Sequence, residues 1–259
     1  MWRWFRRSDR RVSFVIAGVQ KGGTTALYAQ LLRHPAISMP RRKECHYFDM
    51  AAYFARPDTG VSAYHAMFPG FRRGQLRGEA TPAYVYCRAA PRRMMAYNPD
   101  LRVIVLLRDP VERAYSHWHM EKHRGMEELS FGAAIRAEPA RLRLEPEHPV
   151  YSYMDRGFYA RQLLNLWEHV PREQTLIVRS EMLRTAPEET VGTVCRFLGV
   201  APFSPEGIIR QPMFAQQYRH PVDASLRAEL GTIFASDIRR LEDLLGWDCS
   251  GWLCGGAGE

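Results

Sequence analysis

The chain has 259 residues, 46% of them apolar and 25% charged, with 36 Lys plus Arg against 28 Asp plus Glu and a formal charge of +8. That length suits one α/β domain or at most two small ones, and the composition excludes wholesale disorder. No run of about 18 apolar residues occurs, which argues against a transmembrane helix, and the positive excess calls for an anionic ligand without naming it.

Residues 1–11 read as a basic tail and residues 12–259 as a single domain. Met1-Trp-Arg-Trp-Phe-Arg-Arg lacks the apolar stretch of a secretory signal. Trp2, Trp4, Phe5 and three arginines give it a weak affinity for anionic membrane surface at best, and a solvated tail is the plainer expectation. The cysteines, Cys45, Cys87, Cys195, Cys249 and Cys254, form no C-x-x-C pair. Neither a disulfide framework nor a zinc site is expected, and a cytoplasmic location fits.

Val12-Ser-Phe-Val-Ile-Ala is short, apolar and β-branched, a buried strand by its pattern. Gly18-Val-Gln-Lys-Gly-Gly-Thr-Thr follows as a loop. Leu27, Leu31 and Leu32 then carry helical spacing over Ala26–Arg33, stopped by Pro35. A loop between a strand end and a helix start presents backbone N–H groups to an anion, and the helix dipole adds to the attraction. Gly22 and Gly23 admit close approach, Thr24 and Thr25 add hydroxyl donors, and Lys21 adds a charge. Walker A requires Lys after the last Gly, where this chain has Thr24, and G-x-G-x-x-G is absent from this loop. A magnesium-dependent nucleotide phosphotransferase is therefore a secondary reading, and a non-enzymatic polyanion-binding module a third.

Leu101-Arg-Val-Ile-Val-Leu-Leu reads as a second buried strand. Asp109 is placed to cap the following helix and Pro110 to open it; that helix runs to about Lys122. Arg108 stands at the strand's carboxyl edge, where open α/β sheets bind ligands, and its guanidinium can fork onto a phosphate. Ser116 lies two turns into the helix; the structural alternative for Arg108 is a salt bridge to Asp109 or Glu112. His119 and His123 are i, i+4 but lack a third ligand, so no metal site is expected. Gly125–Pro149 reads as a helix within a surface excursion. Gln174–Val178 supplies a third strand, and helices are predicted over Phe158–His169, Pro187–Leu198 and Ser225–Leu245. Strands alternating with helices give an α/β class, a parallel β-sheet flanked by helices.

Several segments together resemble the sulfotransferases that use 3′-phosphoadenylyl sulfate (PAPS) and release adenosine 3′,5′-bisphosphate (PAP). Gln20-Lys-Gly-Gly-Thr-Thr-Ala-Leu is similar to their 5′-phosphosulfate loop. Arg108-Asp-Pro-Val-Glu-Arg-Ala-Tyr-Ser is similar to their 3′-phosphate motif. Lys43-Glu-Cys-His-Tyr-Phe-Asp and Gly78-Glu-Ala-Thr-Pro-Ala-Tyr resemble segments of the heparan sulfate N- and 3-O-sulfotransferase branch. Tyr218-Arg-His-Pro-Val-Asp resembles its late cofactor loop. The likeness runs from Val12 to Trp247 with the motifs in the family's order.

This resemblance implies a P-loop-like sulfotransferase fold and a sulfuryl transfer from PAPS to a hydroxyl or amine by in-line displacement, with no metal. It assigns the donor to Lys21, Gly22, Gly23, Thr24, Thr25, Ala26, Arg108, Ser116, Tyr218, Arg219 and His220. It makes Lys21, Glu44 and His46 catalytic: Lys21 offsets charge on the leaving phosphate, Glu44 is the general base and His46 orients the acceptor. An extended segment would put Glu44 and His46 on one face. Glu79 is the rival base. Ala80 replaces a family lysine, and Thr25 stands where the 3-O branch often has Arg, so a different acceptor, or a loop more like that of the N-sulfotransferases, is expected. A carbohydrate, glycolipid or natural product is the expected acceptor; nucleic acid is not an expected partner.

Overall fold

The structure is a computed structural model that describes residues 11–55, 57–68, 70, 72, 74–210 and 221–253. The tail through Arg10, Cys254 and the late-loop residues Tyr218, Arg219 and His220 lie outside the described residues.

In chain order the elements are β1 (Phe14–Gly18), α1 (Thr24–Leu32), β2 (Ile37–Ser38), α2 (Ala52–Ala55), α3 (Pro57–Ala66), β3 (Leu76–Ala80), α4 (Ala90–Tyr97) and β4 (Arg102–Leu107). They continue with α5 (Pro110–His123), α6 (Phe131–Leu144), α7 (Tyr159–Trp167), β5 (Thr175–Arg179), α8 (Met182–Thr185), α9 (Pro187–Leu198), α10 (Ala224–Leu245) and α11 (Ser250–Leu253). The described residues fall into two compact units. One comprises 11–19, 23–107 and 166–210; the other comprises 20–22, 108–165 and 221–253.

The first unit holds the sheet. Its five strands are ordered β2-β3-β1-β4-β5, and every pairing is parallel. All five residues of β1 and the last five of β4 are buried, so successive side chains are covered whichever way they point. Phe14 and Ile16 of β1, Leu27 and Leu31 of α1, and Ile104 and Leu106 of β4 share one apolar cluster. Val194 and Leu198 of α9 complete its far side.

The predicted strands at Val12–Ala17, Leu101–Leu107 and Gln174–Val178 are β1, β4 and β5. The pattern missed β3, a central strand with the sequence Leu-Arg-Gly-Glu-Ala. Gly78 is required there, because a Cβ would lie 2.0 Å from Phe14 Cζ. Arg77 is buried with its guanidinium 5.1 Å from the Phe68 ring centroid.

The second unit is helical. α5 packs on α6, on α10 and on the short turn Asp155–Gly157, and α10 packs on α11. Asp109 caps α5 as predicted: its Oδ1 accepts from Val111 N at 2.8 Å and Glu112 N at 3.2 Å, with Pro110 opening the helix. Among the described residues no helix is long and apolar enough to cross a membrane. The four described cysteines, Cys45, Cys87, Cys195 and Cys249, are free thiols.

Candidate active site

The glycine-rich loop leaves β1 and ends at α1. Gly23, with φ of 92°, is the N-cap of α1 in the left-handed conformation that a Cβ disfavours. No side chain hydrogen-bonds the cap of α1 and no acid stands in its first turn, an arrangement that suits an anion at a helix start. Ala26 N and Leu27 N bond back to the Gly23 carbonyl at 3.0 and 3.2 Å. Thr24 is buried, whereas Thr25 and Ala26 are partly exposed. Gly22 is buried and Lys21 is half-buried. Lys21 also has positive φ, 68°, a conformation that costs a non-glycine residue roughly 1–3 kcal/mol and that clusters at ligand clamps.

In the helical unit, Arg108 follows directly on β4. Its Nη1 donates to the Lys21 backbone carbonyl oxygen at 3.4 Å, which ties the Arg108 side chain to the backbone of the glycine-rich loop. Its Nη2 lies 3.6 Å from Glu112 Oε2, an ion pair too long for a hydrogen bond. The predicted salt-bridge alternative is thus present in a loose form. Tyr159 Oη donates to the Arg108 carbonyl at 2.7 Å and fixes the backbone. Ser116 is buried on α5. On the same helix Arg113 is fully buried; it donates to the Tyr153 carbonyl, and burial lowers its pKa to about 10.

In the sheet unit, Glu44 and His46 do come together, though not on an extended segment. Their φ values of 69° and 52° make the chain a contorted loop. Its backbone is tied to the end of β3: Glu44 N donates to the Ala80 carbonyl at 3.0 Å, and His46 N to Thr81 Oγ1 at 3.4 Å. The His46 ring lies 2.7 Å from Asp49 through Nδ1 and 3.6 Å from Glu44 Oε2 through Nε2. Lys43 Nζ donates to Glu44 Oε1 at 2.7 Å. The hydrogen bond to Asp49, then that to Glu44, raise the His46 pKa to about 10 against the opposing pull of burial. Burial pushes Glu44 up, but His46 and Lys43 outweigh it and hold the carboxyl at about 2. At neutral pH Glu44 is therefore a carboxylate and His46 an imidazolium.

Glu79, the rival base, is fully buried within β3. Its carboxylate accepts from Tyr64 Oη at 2.9 Å, Tyr84 Oη at 2.6 Å and Thr81 Oγ1 at 2.6 Å. Burial raises its pKa despite those donors. Two of the hydroxyls pass the contact on: Thr81 Oγ1 accepts from His46 N, and Tyr84 Oη accepts from Tyr47 N at 3.0 Å. Glu79 thus anchors the loop that carries Glu44 and His46, with no face toward an acceptor. Sequence reasoning missed this hydroxyl shell, since tyrosines at 64 and 84 carry no local signal of a shared partner. It also missed Arg227 of α10, which meets Asp109 at 2.5 Å and Glu112 at 3.1 Å.

Comparison with known proteins bears on the family and the fold. The family profile described as "Sulfotransferase domain" matches residues 12–216. Heparan sulfate glucosamine 3-O-sulfotransferase 6 of Homo sapiens is 35% identical over 188 residues, which cover 72% of this chain and 52% of that protein. The bifunctional heparan sulfate N-deacetylase/N-sulfotransferase 3 of Homo sapiens is 31% identical over 215 residues, 78% of this chain and 24% of that protein. The chain therefore spans about half, or less, of the curated relatives it matches. The crystal structure of a sulfotransferase from Alicyclobacillus acidocaldarius is similar over 93% of this chain and 98% of that one, with a TM-score of 0.81 and 31% identity. A parallel sheet flanked by helices, a glycine-rich loop ahead of α1 and a profile match across most of the length identify the fold as the P-loop-like sulfotransferase fold, and the chain belongs to the sulfotransferase domain family.

Proposed function

We propose that the chain moves a sulfuryl group from PAPS to a hydroxyl or amine of a saccharide or other small acceptor. The observation that carries the reading is the contact of the Arg108 guanidinium with the Lys21 backbone carbonyl, which joins a pair of anion motifs: the strand-end arginine and the glycine-rich loop. A nucleotide with phosphates at both the 5′ and 3′ positions needs such a pair. Relatives at 31–35% identity named for heparan sulfate support a saccharide acceptor.

The roles follow from charge. The uncapped start of α1, with Gly22, Gly23, Thr24, Thr25 and Ala26, holds the 5′-phosphate by backbone N–H groups and hydroxyls. Arg108 and Ser116 hold the 3′-phosphate, with Tyr218, Arg219 and His220 as further donor contacts. The acceptor oxygen or nitrogen attacks sulfur, the bond from sulfur to the bridging phosphate oxygen breaks, and PAP departs with the electron pair. Lys21 offsets the charge that grows on that oxygen. Glu44 takes the acceptor's proton. A carboxylate held at about 2 is a weak base toward a resting hydroxyl. It accepts the proton late, once the new oxygen–sulfur bond has made the hydroxyl strongly acidic. His46, pinned by Asp49, acts as an oriented cation.

Thermal stabilisation tests the reading. PAP at about 100 times its dissociation constant should add roughly 2.7 kcal/mol to the wild type, and far less to Lys21→Ala. No response to PAP overturns the proposal; stabilisation by ATP only with magnesium points to a phosphotransferase instead.

A further inference from the structure

We propose that Arg227, in the first turns of α10, is a positioning residue for the 3′-phosphate grip: it occupies Asp109 and Glu112 and so keeps Arg108 available to a phosphate. The inference rests on the reading of Arg108 as the 3′-phosphate ligand and adds a second residue that sets its affinity.

The contacts define a closed set of charges. Asp109 spends Oδ1 on the cap of α5 and gives Oδ2 to Arg227 Nη2 at 2.5 Å. Glu112 gives Oε1 to Arg227 Nη1 at 3.1 Å, and its Oε2 lies 3.6 Å from Arg108 Nη2. Two guanidiniums thus face two carboxylates, and Arg227 takes the two short bonds. Its side chain is 16% exposed and that of Asp109 is 11% exposed, so water screens this pair poorly. A planar guanidinium bridging two acids of one helical turn is a geometry that the lysine point charge does not reproduce.

Without Arg227, Arg108 is the guanidinium that still stands beside Glu112 among the described residues. It would close the gap to Glu112 and settle into the salt bridge that its sequence position invites. A phosphate would then have to break that pair first, and binding would weaken only for ligands that carry the 3′-phosphate. A residue that merely ties α10 to α5 would instead weaken all nucleotides alike or lower stability alone.

The test compares PAP with adenosine 5′-monophosphate, which lacks the 3′-phosphate, by isothermal titration of the whole chain. The wild type should prefer PAP by at least about tenfold, as expected for a charge-assisted bidentate contact. Arg227→Met should cut that preference about tenfold and leave monophosphate affinity unchanged. Arg227→Met/Glu112→Gln should regain it, because the competing carboxylate is gone. If Arg227→Met does not fold, Arg227→Lys carries the test, with an intermediate preference expected and an unchanged one overturning the idea. A wild type without preference for PAP overturns the Arg108 reading and this inference with it. A preference lost in Arg108→Met but intact in Arg227→Met, or not regained in the double variant, overturns this inference alone.

Discussion

Tyr64→Phe removes a single oxygen from the buried hydroxyl shell around Glu79. The ring keeps its place, stacked on Tyr47 at 4.2 Å and 4° between planes, so the packing of α3 is unchanged. What is lost is one of three donors to a carboxylate that no water reaches. Removing one partner of a buried hydrogen-bonded group costs about 1–3 kcal/mol, so the variant should be about 2 kcal/mol less stable. At about 2–4 °C per kcal/mol for a domain of this size class, the melting temperature should fall by about 4–8 °C. Circular dichroism melts and urea titrations at pH 7 measure both quantities. In a Glu79→Gln background the same change should cost a different amount, because the two residues share one contact and their effects do not add. A Tyr64→Phe protein melting within about 1 °C of wild type would show that the hydroxyl shell does not hold Glu79, and the anchoring role of Glu79 would go with it.

Further outcomes follow from the same geometry. Glu44→Gln should keep PAP affinity while turnover falls by about 10²–10⁴, measured as kcat with saturating donor; Glu79→Gln should lower the melting temperature through loss of the buried hydroxyl shell. Gly78→Ala should destabilise by at least about 1–3 kcal/mol through collision with Phe14, and Gly78→Ala/Phe14→Leu should recover part of that in urea titrations. Because the folded pKa of His46 lies near 10 rather than 6.5, its ion pairs contribute fully below pH 6.5 and fade as pH climbs through 10. Wild-type stability should therefore decline across that window relative to His46→Gln, which lacks the slope; parallel curves would refute the pairing.

The parts of the fold legible from sequence are those where one local rule governs. Val12–Ala17 and Leu101–Leu107 are apolar because they are buried on both sides, and Asp109-Pro110 announces a helix start because cap chemistry is local. β3 is unreadable by that logic. Its Arg, Gly and Glu are each explained by a partner far along the chain: Phe68 beneath Arg77, Phe14 against Gly78, and Tyr64 and Tyr84 on Glu79. The anion motifs were legible because glycines, a lysine and a strand-end arginine are informative at short range. The left-handed turns at Glu44 and His46 were not, since glutamate rarely takes positive φ and histidine, though enriched there, takes it in only a small share of cases. Arg227 could not be found at all from sequence, because its two carboxylate partners lie more than a hundred positions earlier and only the packing of α10 on α5 joins them.

The bare amino end of α1 has a consequence for how the protein lives between catalytic cycles. Its first turn has neither a side-chain cap nor an acid, which leaves backbone N–H groups there for an anion to take up. Saturation with a doubly phosphorylated nucleotide would tighten that turn and slow its amide exchange. On the proposed reading, bound donor would then add to the stability of the folded chain by mass action as well as feed the reaction.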